Sequence, residues 1–234
     1  YTFAVETAPR GEVRLAIERP DLFSIRVNGV GLSADAESGW WVDRSLRTIP
    51  VDPALLRAGT NEIALECDYR EDHPGLEIVY LLGAFGTALP GGIPTIVEPP
   101  GSLSLGDWTA QGLTFYSGSA TYETEIVPHA GPGERTVVRT AGYRGTAVRV
   151  FVDGRPAGVA AWEPNEVDIT DFVESGRSAL LGVEVVGHRR NSHGPFHHAQ
   201  KWPVWTGPGE YVATGELWFD GYQLVPCGLT EPPE

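Results

Sequence analysis

The sequence predicts an all-β protein built of two antiparallel β-sandwiches, and three observations carry that prediction. Short runs rich in Val, Ile, Thr and aromatic residues alternate apolar with polar, the period-2 pattern of half-buried strands. The 29 glycines and 19 prolines punctuate those runs as turns. No window sustains a 3.6-residue apolar period, so very little helix is expected.

Taken in order, residues 1–5 read as a strand and Gly11 sits in the turn after it. Residues 13–18 alternate, Pro20-Asp21 breaks the run, and residues 23–27 alternate again into Asn28-Gly29. Asn-Gly after an alternating run signals a tight hairpin, because both residues tolerate the positive φ of a type I′ turn. A polar stretch leads to Gly39-Trp40-Trp41-Val42-Asp43. Residues 53–59 then read as one short helical turn, with Asp52 as N-cap and Gly59 closing it. Strands are expected at 62–69 and 77–82. Residues 89–101, dense in Pro and Gly, read as a linker.

Beyond that stretch the same order of events recurs. Residues 120–126 match the opening strand, 136–139 match 13–17, and Val152-Asp153-Gly154 matches the strand ending Asn28-Gly29. Residues 167–176 match the 52–59 turn, and 179–186 match 62–69. This is a divergent internal duplication whose period is far too long for a solenoid. The second copy has an extra segment, 103–119, so the first copy is expected to be truncated on its N-terminal side. The expected domains are 1–88 (truncated sandwich), 89–101 (linker), 102–229 (complete sandwich) and 230–234 (tail).

Composition excludes several function classes. A formal net charge of −14 repels phosphate backbones and anionic lipid, so neither nucleic acid nor membrane is an expected partner. No run approaches 18 apolar residues, and the start carries no signal-peptide pattern. The chain opens on Tyr1 and contains no Met, so it is expected to be a piece of something longer. Cys67 alternates with Ile63 and Leu65 and is expected to be a buried strand thiol. A Cys67–Cys227 bridge is open on sequence, which fixes no geometry.

One stretch breaks the β pattern. Residues 187–205, GHRRNSHGPFHHAQKWPVW, are polar, aromatic and ionisable without period, and hold His188, His193, His197, His198, Trp202 and Trp205. A loop longer than about 12–15 residues without periodicity is functional or is packed by its own side chains. As a sugar site, Trp202 or Trp205 offers a flat face for the C–H side of a pyranose, with Asn191, His193, His197, His198 and Gln200 as a polar rim. Trp162, between Gly158 and Pro164 near a sandwich rim, is a further ligand-contact candidate. Zinc needs His193 and His197 on a helix, and Gly194-Pro195 argues against one. Glu163, Glu166, Asp168 and Asp171 cluster in sequence, but glycosidase carboxylates must oppose each other about 5–9.5 Å apart across a cleft. Asp168 and Thr170 are expected to face solvent there, with Asp171 capping the short turn. No catalytic residue is assigned.

Two motif sets then carry a resemblance. The first is Trp108, Gln111-Gly112, Phe115-Tyr116-Ser117-Gly118 and Thr121-Tyr122; the second is Val152-Asp153-Gly154, Trp162-Glu163-Pro164 and Val167-Asp168-Ile169-Thr170-Asp171. Together they resemble the galactose-binding-like jelly-roll modules that accompany glycoside hydrolases. The likeness is to sugar-binding domains of family 2 enzymes and to C-terminal sandwiches of α-L-rhamnosidase-like proteins. The 191–198 run and, in the first half, Trp40-Trp41-Val42-Asp43 and residues 78–86 are similar to the second group. The resemblance implies an accessory module of a secreted enzyme whose hydrolytic carboxylates sit on a separate barrel. It implies polysaccharide or oligosaccharide and the parent chain's catalytic domain as partners, and a structural calcium with no assignable ligands. Three readings stay open: a sugar-binding module, a purely structural pair orienting a catalytic domain, and a metal-dependent His-rich loop that works alone or completes a lost domain's site.

Overall fold

The structure, a computed structural model, describes residues 1–200 and 206–234. Among the described residues it is all-β apart from one four-residue α-helix and short 3-10 turns, and the chain divides into two compact units, Tyr1–Pro100 and Gly101–Glu234.

The first unit contains β1 (Thr2–Val5), β2 (Val13–Glu18), β3 (Ser24–Val27), β4 (Val30–Leu32) and β5 (Trp40–Trp41). It continues with β6 (Asp43–Val51), β7 (Gly59–Glu66), β8 (Tyr80–Gly83), β9 (Gly86–Ala88) and β10 (Thr95–Val97). One sheet runs β4-β3-β7-β1-β10-β9 and the other β5-β6-β2-β8. Alternation sends Val5, Ile25, Val27 and Ile63 inward from the first sheet, and Val13, Leu15, Ile49 and Val51 inward from the second. All eight belong to one buried cluster, so the sheets face each other as a sandwich. Each such side chain contributes roughly 1.5–3 kcal/mol of burial.

Two expectations change here. Residues 89–101 are no linker: Thr95 and Ile96 are buried, and β10 lies between β1 and β9. Three apolar-capable residues flanked by prolines carry too little pattern to show a strand, and the pairing that makes it one is tertiary. The β1–β10 pair is moreover parallel, the exception in otherwise antiparallel sheets.

The second unit contains β11 (Ser119–Ile126), β12 (Val137–Arg139), β13 (Tyr143–Arg144), β14 (Ala147–Val152) and β15 (Arg155–Ala160). Then come β16 (Glu166–Asp168), β17 (Ala179–Val186), the helical turn α1 (Arg190–His193) and β18 (Gly228–Leu229). Its main sheet runs β11-β17-β14-β15, opposite the pairs β12-β16 and β13-β18. Val148, Val150, Leu181, Val183 and Val185 of the main sheet pack with Val138, Val167, Ile169, Cys227 and Leu229. Trp108, fully buried, joins them from a 3-10 turn (Trp108–Ala110); among the described residues, 103–118 holds no strand. Residues 230–234, expected as a tail, are tied in: Arg139 and Glu234 exchange both backbone hydrogen bonds, and the Thr230 N–H donates to Gly142.

The duplication is visible in the topology. The order β4-β3-β7-β1 repeats as β15-β14-β17-β11, and the antiparallel pair β2-β6 repeats as β12-β16. The hairpin turns repeat to the atom. Asn28-Gly29 has φ of 49° and 83°, Asp153-Gly154 has 49° and 74°, as a type I′ turn requires. In one copy the Glu62 N–H donates to Asn28 Oδ1 at 2.9 Å; in the other the Leu180 N–H donates to Asp153 Oδ1 at 2.9 Å. The short turns repeat too, with Asp52 accepting from the Ala54 N–H and Asp168 from the Thr170 N–H. The expected cap at Asp171 is not formed: Asp171 lies inside the turn Thr170–Phe172, whose N-cap position is Ile169 with no side-chain cap, and Asp168 holds the Thr170 N–H from one residue further out.

Candidate functional site

Residues 187–200 leave β17 and fold back on the segment that leads to β18. Gly187 is required at the exit, since a Cβ there would meet the Gly118 carbonyl oxygen at 2.6 Å. Asn191, fully buried in α1, works as a bracket. Its Nδ2 donates to the Val225 carbonyl at 2.7 Å and its Oδ1 accepts from the Val225 N–H at 2.8 Å. His188 Nε2 lies 3.3 Å from the Pro226 carbonyl and His197 Nδ1 3.0 Å from the Gly221 carbonyl, each able only to donate to such an oxygen. His197 also stacks on Trp218 at 4.8 Å and touches Tyr222. His198, 2% exposed, accepts from the Gln200 N–H at its Nδ1, while the Gln200 side chain lies on an exposed residue.

His193 is half-buried, 2.7 Å from Ser192 Oγ. Burial, reinforced by the Arg189 charge, pushes its pKa down and favours the neutral ring. The neighbouring Arg190 has both terminal nitrogens shielded from solvent with no hydrogen-bond partner, and desolvation lowers its pKa. Trp202 and Trp205, the two indoles expected to form a sugar face, lie outside the described residues. Sequence reasoning missed Trp218 and Tyr222: Tyr222 packs with Phe115 and with Phe196 and His197 of the loop, and Trp218 joins through His197. The only hint was the density of aromatics in 218–222, which lacks any strand period.

Among the described residues, no group of three or more His, Cys, Asp or Glu is placed to hold a metal ion. Each histidine of the loop turns to a different neighbour: His188 to Pro226, His193 to Ser192, His197 to Gly221 and His198 to Gln200. Two of the four clustered carboxylates, Glu166 and Asp168, are engaged structurally. Glu166 accepts from Arg139 at 2.6 Å, and Asp168 accepts from the Thr170 hydroxyl at 2.6 Å and pairs with Arg135. The Thr170 hydroxyl, then its N–H, holds the Asp168 pKa below the usual carboxylate range. Both cysteines are free. Cys67 is half-buried just past the end of β7 rather than buried within it, because the strand stops at Glu66. It lines a groove of about 630 Å³ in the first unit with Ile17, Phe23, Ile63 and Leu65. Cys227 is buried, and desolvation raises its thiol pKa to about 11.

Trp162 stands apart from all of these. It lies in the connection from β15 to β16 and is 80% exposed. The turn that carries it is anchored at its base. The Asn165 N–H donates to the Trp162 carbonyl at 3.0 Å, and the Asn165 carbonyl accepts from the N–H of Thr140, which is buried. An indole held at the rim of a sandwich on a tethered turn presents a flat apolar face at small entropic cost.

No family model matches the chain, and no curated protein does. Solved structures with some likeness include a rhamnosidase from Novosphingobium sp. PP1Y, at 18% identity and a TM-score of 0.37, covering 95% of this chain and 21% of that one. A β-D-glucuronidase of Dictyoglomus thermophilum covers 48% of this chain and 17% of its own, at 15% identity and a TM-score of 0.28. The chain thus spans about a fifth of the rhamnosidase's length. An anti-sigma factor domain-containing protein scores lower, at 12% identity and a TM-score of 0.24. At such scores the likeness carries no functional weight, and function has to be read from the residues of this chain.

Proposed function

We propose that this chain is a non-catalytic accessory module of a secreted glycoside hydrolase, and that its second sandwich holds a sugar against Trp162. The observation that carries this reading is the 80% exposure of that indole on an anchored turn. Covering roughly 100 Å² of it with the C–H face of a pyranose contributes about 2–3 kcal/mol. A few hydrogen bonds to hydroxyls bring affinity into the millimolar to micromolar range, about 4–8 kcal/mol. The ligand is a polysaccharide or oligosaccharide, and a net charge of −14 favours neutral glycans over polyuronates. The parent chain's catalytic domain is the second partner. The engagement of Glu166 and Asp168 in ion pairs, and of Asp168 in bonds to Thr170, supports the non-catalytic part of the reading.

Affinity electrophoresis of the intact chain in gels holding soluble polysaccharide tests it. Wild type is retarded and W162A migrates as in a gel without glycan; a variant retarded as strongly as wild type overturns the role of Trp162. The packing of Asn191, His197 and His198 onto backbone groups favours a second reading, in which the sandwiches only orient a catalytic domain. That reading expects no retardation of the folded wild type.

A further inference from the structure

We propose that the first unit carries a sugar platform of its own, formed by Trp40 beside the Arg47–Glu37 ion pair, at the point of the duplicated scaffold that corresponds to Trp162. The proposal rests on the sugar-binding reading above and extends it to a second site.

The correspondence is topological. In each copy a hairpin with a positive-φ turn ends in a short strand, β4 or β15, and the chain then crosses to β6 or β16. Trp162 lies in the second crossing and Trp40 in the first, and both are exposed, at 80% and 54%. The first crossing is longer and adds β5, which forms a hairpin with β6.

That hairpin separates the two adjacent tryptophans into different roles. Trp41 packs on Tyr80 with ring centroids 4.8 Å apart and anchors the turn. Trp40 stays exposed, directly opposite Arg47 across the pair, so their side chains share a face. Arg47 is held by Glu37. An indole flanked by a guanidinium and a carboxylate supplies what pyranose recognition needs: a flat apolar face, donors, and acceptors for vicinal hydroxyls. Val42 closes the turn at φ 64°, a conformation that disfavours a β-branched residue. The scaffold keeps that strained turn, and with it the position of Trp40.

The test uses the full chain in gels holding neutral galactomannan, arabinoxylan or xyloglucan. W40A, W40F, W162A and the W40A/W162A double variant are compared with wild type, with circular dichroism and thermal melting as folding controls. Loss of the ring at Trp40 is expected to weaken binding to the retained glycan by roughly tenfold. W40F, which keeps an aromatic face, is expected to fall between, and the double variant below either single one. W40F is read alone if W40A melts early. Wild-type retardation of both W40A and W40F, with W162A impaired, overturns this proposal and leaves the Trp162 reading standing. Impaired W40A with unaffected W162A supports the Trp40 platform and overturns the one at Trp162. Absence of wild-type retardation on all three glycans overturns both.

Discussion

The two units share a scaffold and differ in the segment that leaves its central strand. After β7 the first unit has a short irregular segment, 67–79, before β8; after β17 the second runs through 187–227 before β18. Strand order, hairpin turn and the aspartate bond to the amide two residues on at the short turn are held in common. The difference teaches that the conspicuous His-rich stretch is an elaboration on a repeated scaffold, its described part, 187–200, fixed largely by bonds to 217–226. Trp40 and Trp162, both exposed, lie instead in a crossing that both copies possess.

The largest expected effect separates the copies. Trp108 has no counterpart in the first unit, and W108A removes the largest fully buried side chain among the described residues, costing about 3–5 kcal/mol. The cysteines report on each unit separately. Buried Cys227, with its thiol pKa near 11, resists thiol reagents until the second unit opens, while half-buried Cys67 reports on the first. In W108A the denaturant midpoint for Cys227 labelling drops and that for Cys67 stays.

Next in size is the bracket of the elaborated loop. N191A strands the N–H and carbonyl of Val225, at about 2–4 kcal/mol by chemical denaturation of the second unit. A sugar-contacting role for Asn191 would instead leave stability within about 0.5 kcal/mol.

The shared turn allows a finer comparison. Asn28 uses Nδ2 as well as Oδ1, donating to the Leu55 carbonyl and to Asn61 Oδ1, both at 2.7 Å. N28D turns those donors into a carboxylate facing two oxygens and is expected to cost about 1–3 kcal/mol. D153N keeps the accepting oxygen and is expected to stay within about 0.5 kcal/mol of wild type, as thermal melting would show.

Smallest is a pH effect confined to the second unit. Burial depresses the His193 pKa in the folded state below its ordinary 6.5. As pH falls through 6.5 the unfolded chain takes up a proton that the folded chain resists, so stability drops on acidification and levels off below the folded pKa. Melting temperatures from about pH 7.5 to about pH 5 should decline less in H193Q than in wild type.

Much of this was legible from residues alone. Alternation placed β2 and β17 at their observed bounds, and Asn28-Gly29 and Asp153-Gly154 announced their turns. β10 was hidden because Thr95-Ile96-Val97 is short, lies among prolines, and becomes a strand only by pairing with β1 and β9. The packing of 187–200 was hidden because its partners at 217–226 lack periodicity. Trp162 was picked out by its place between turn residues. Trp40 was not, because in sequence nothing distinguishes it from Trp41, and only the hairpin register assigns one to packing and the other to solvent.

The most direct measurement tracks the indole N–H signals of the ¹⁵N-labelled chain while a galactomannan oligosaccharide is added. Sugar stacking on the exposed platforms moves the Trp162 signal, and that of Trp40 with it, while Trp108 in the core stays still. A Trp162 signal that does not move at saturating oligosaccharide, while the gel assay shows the glycan bound, would contradict the platform at the centre of this reading.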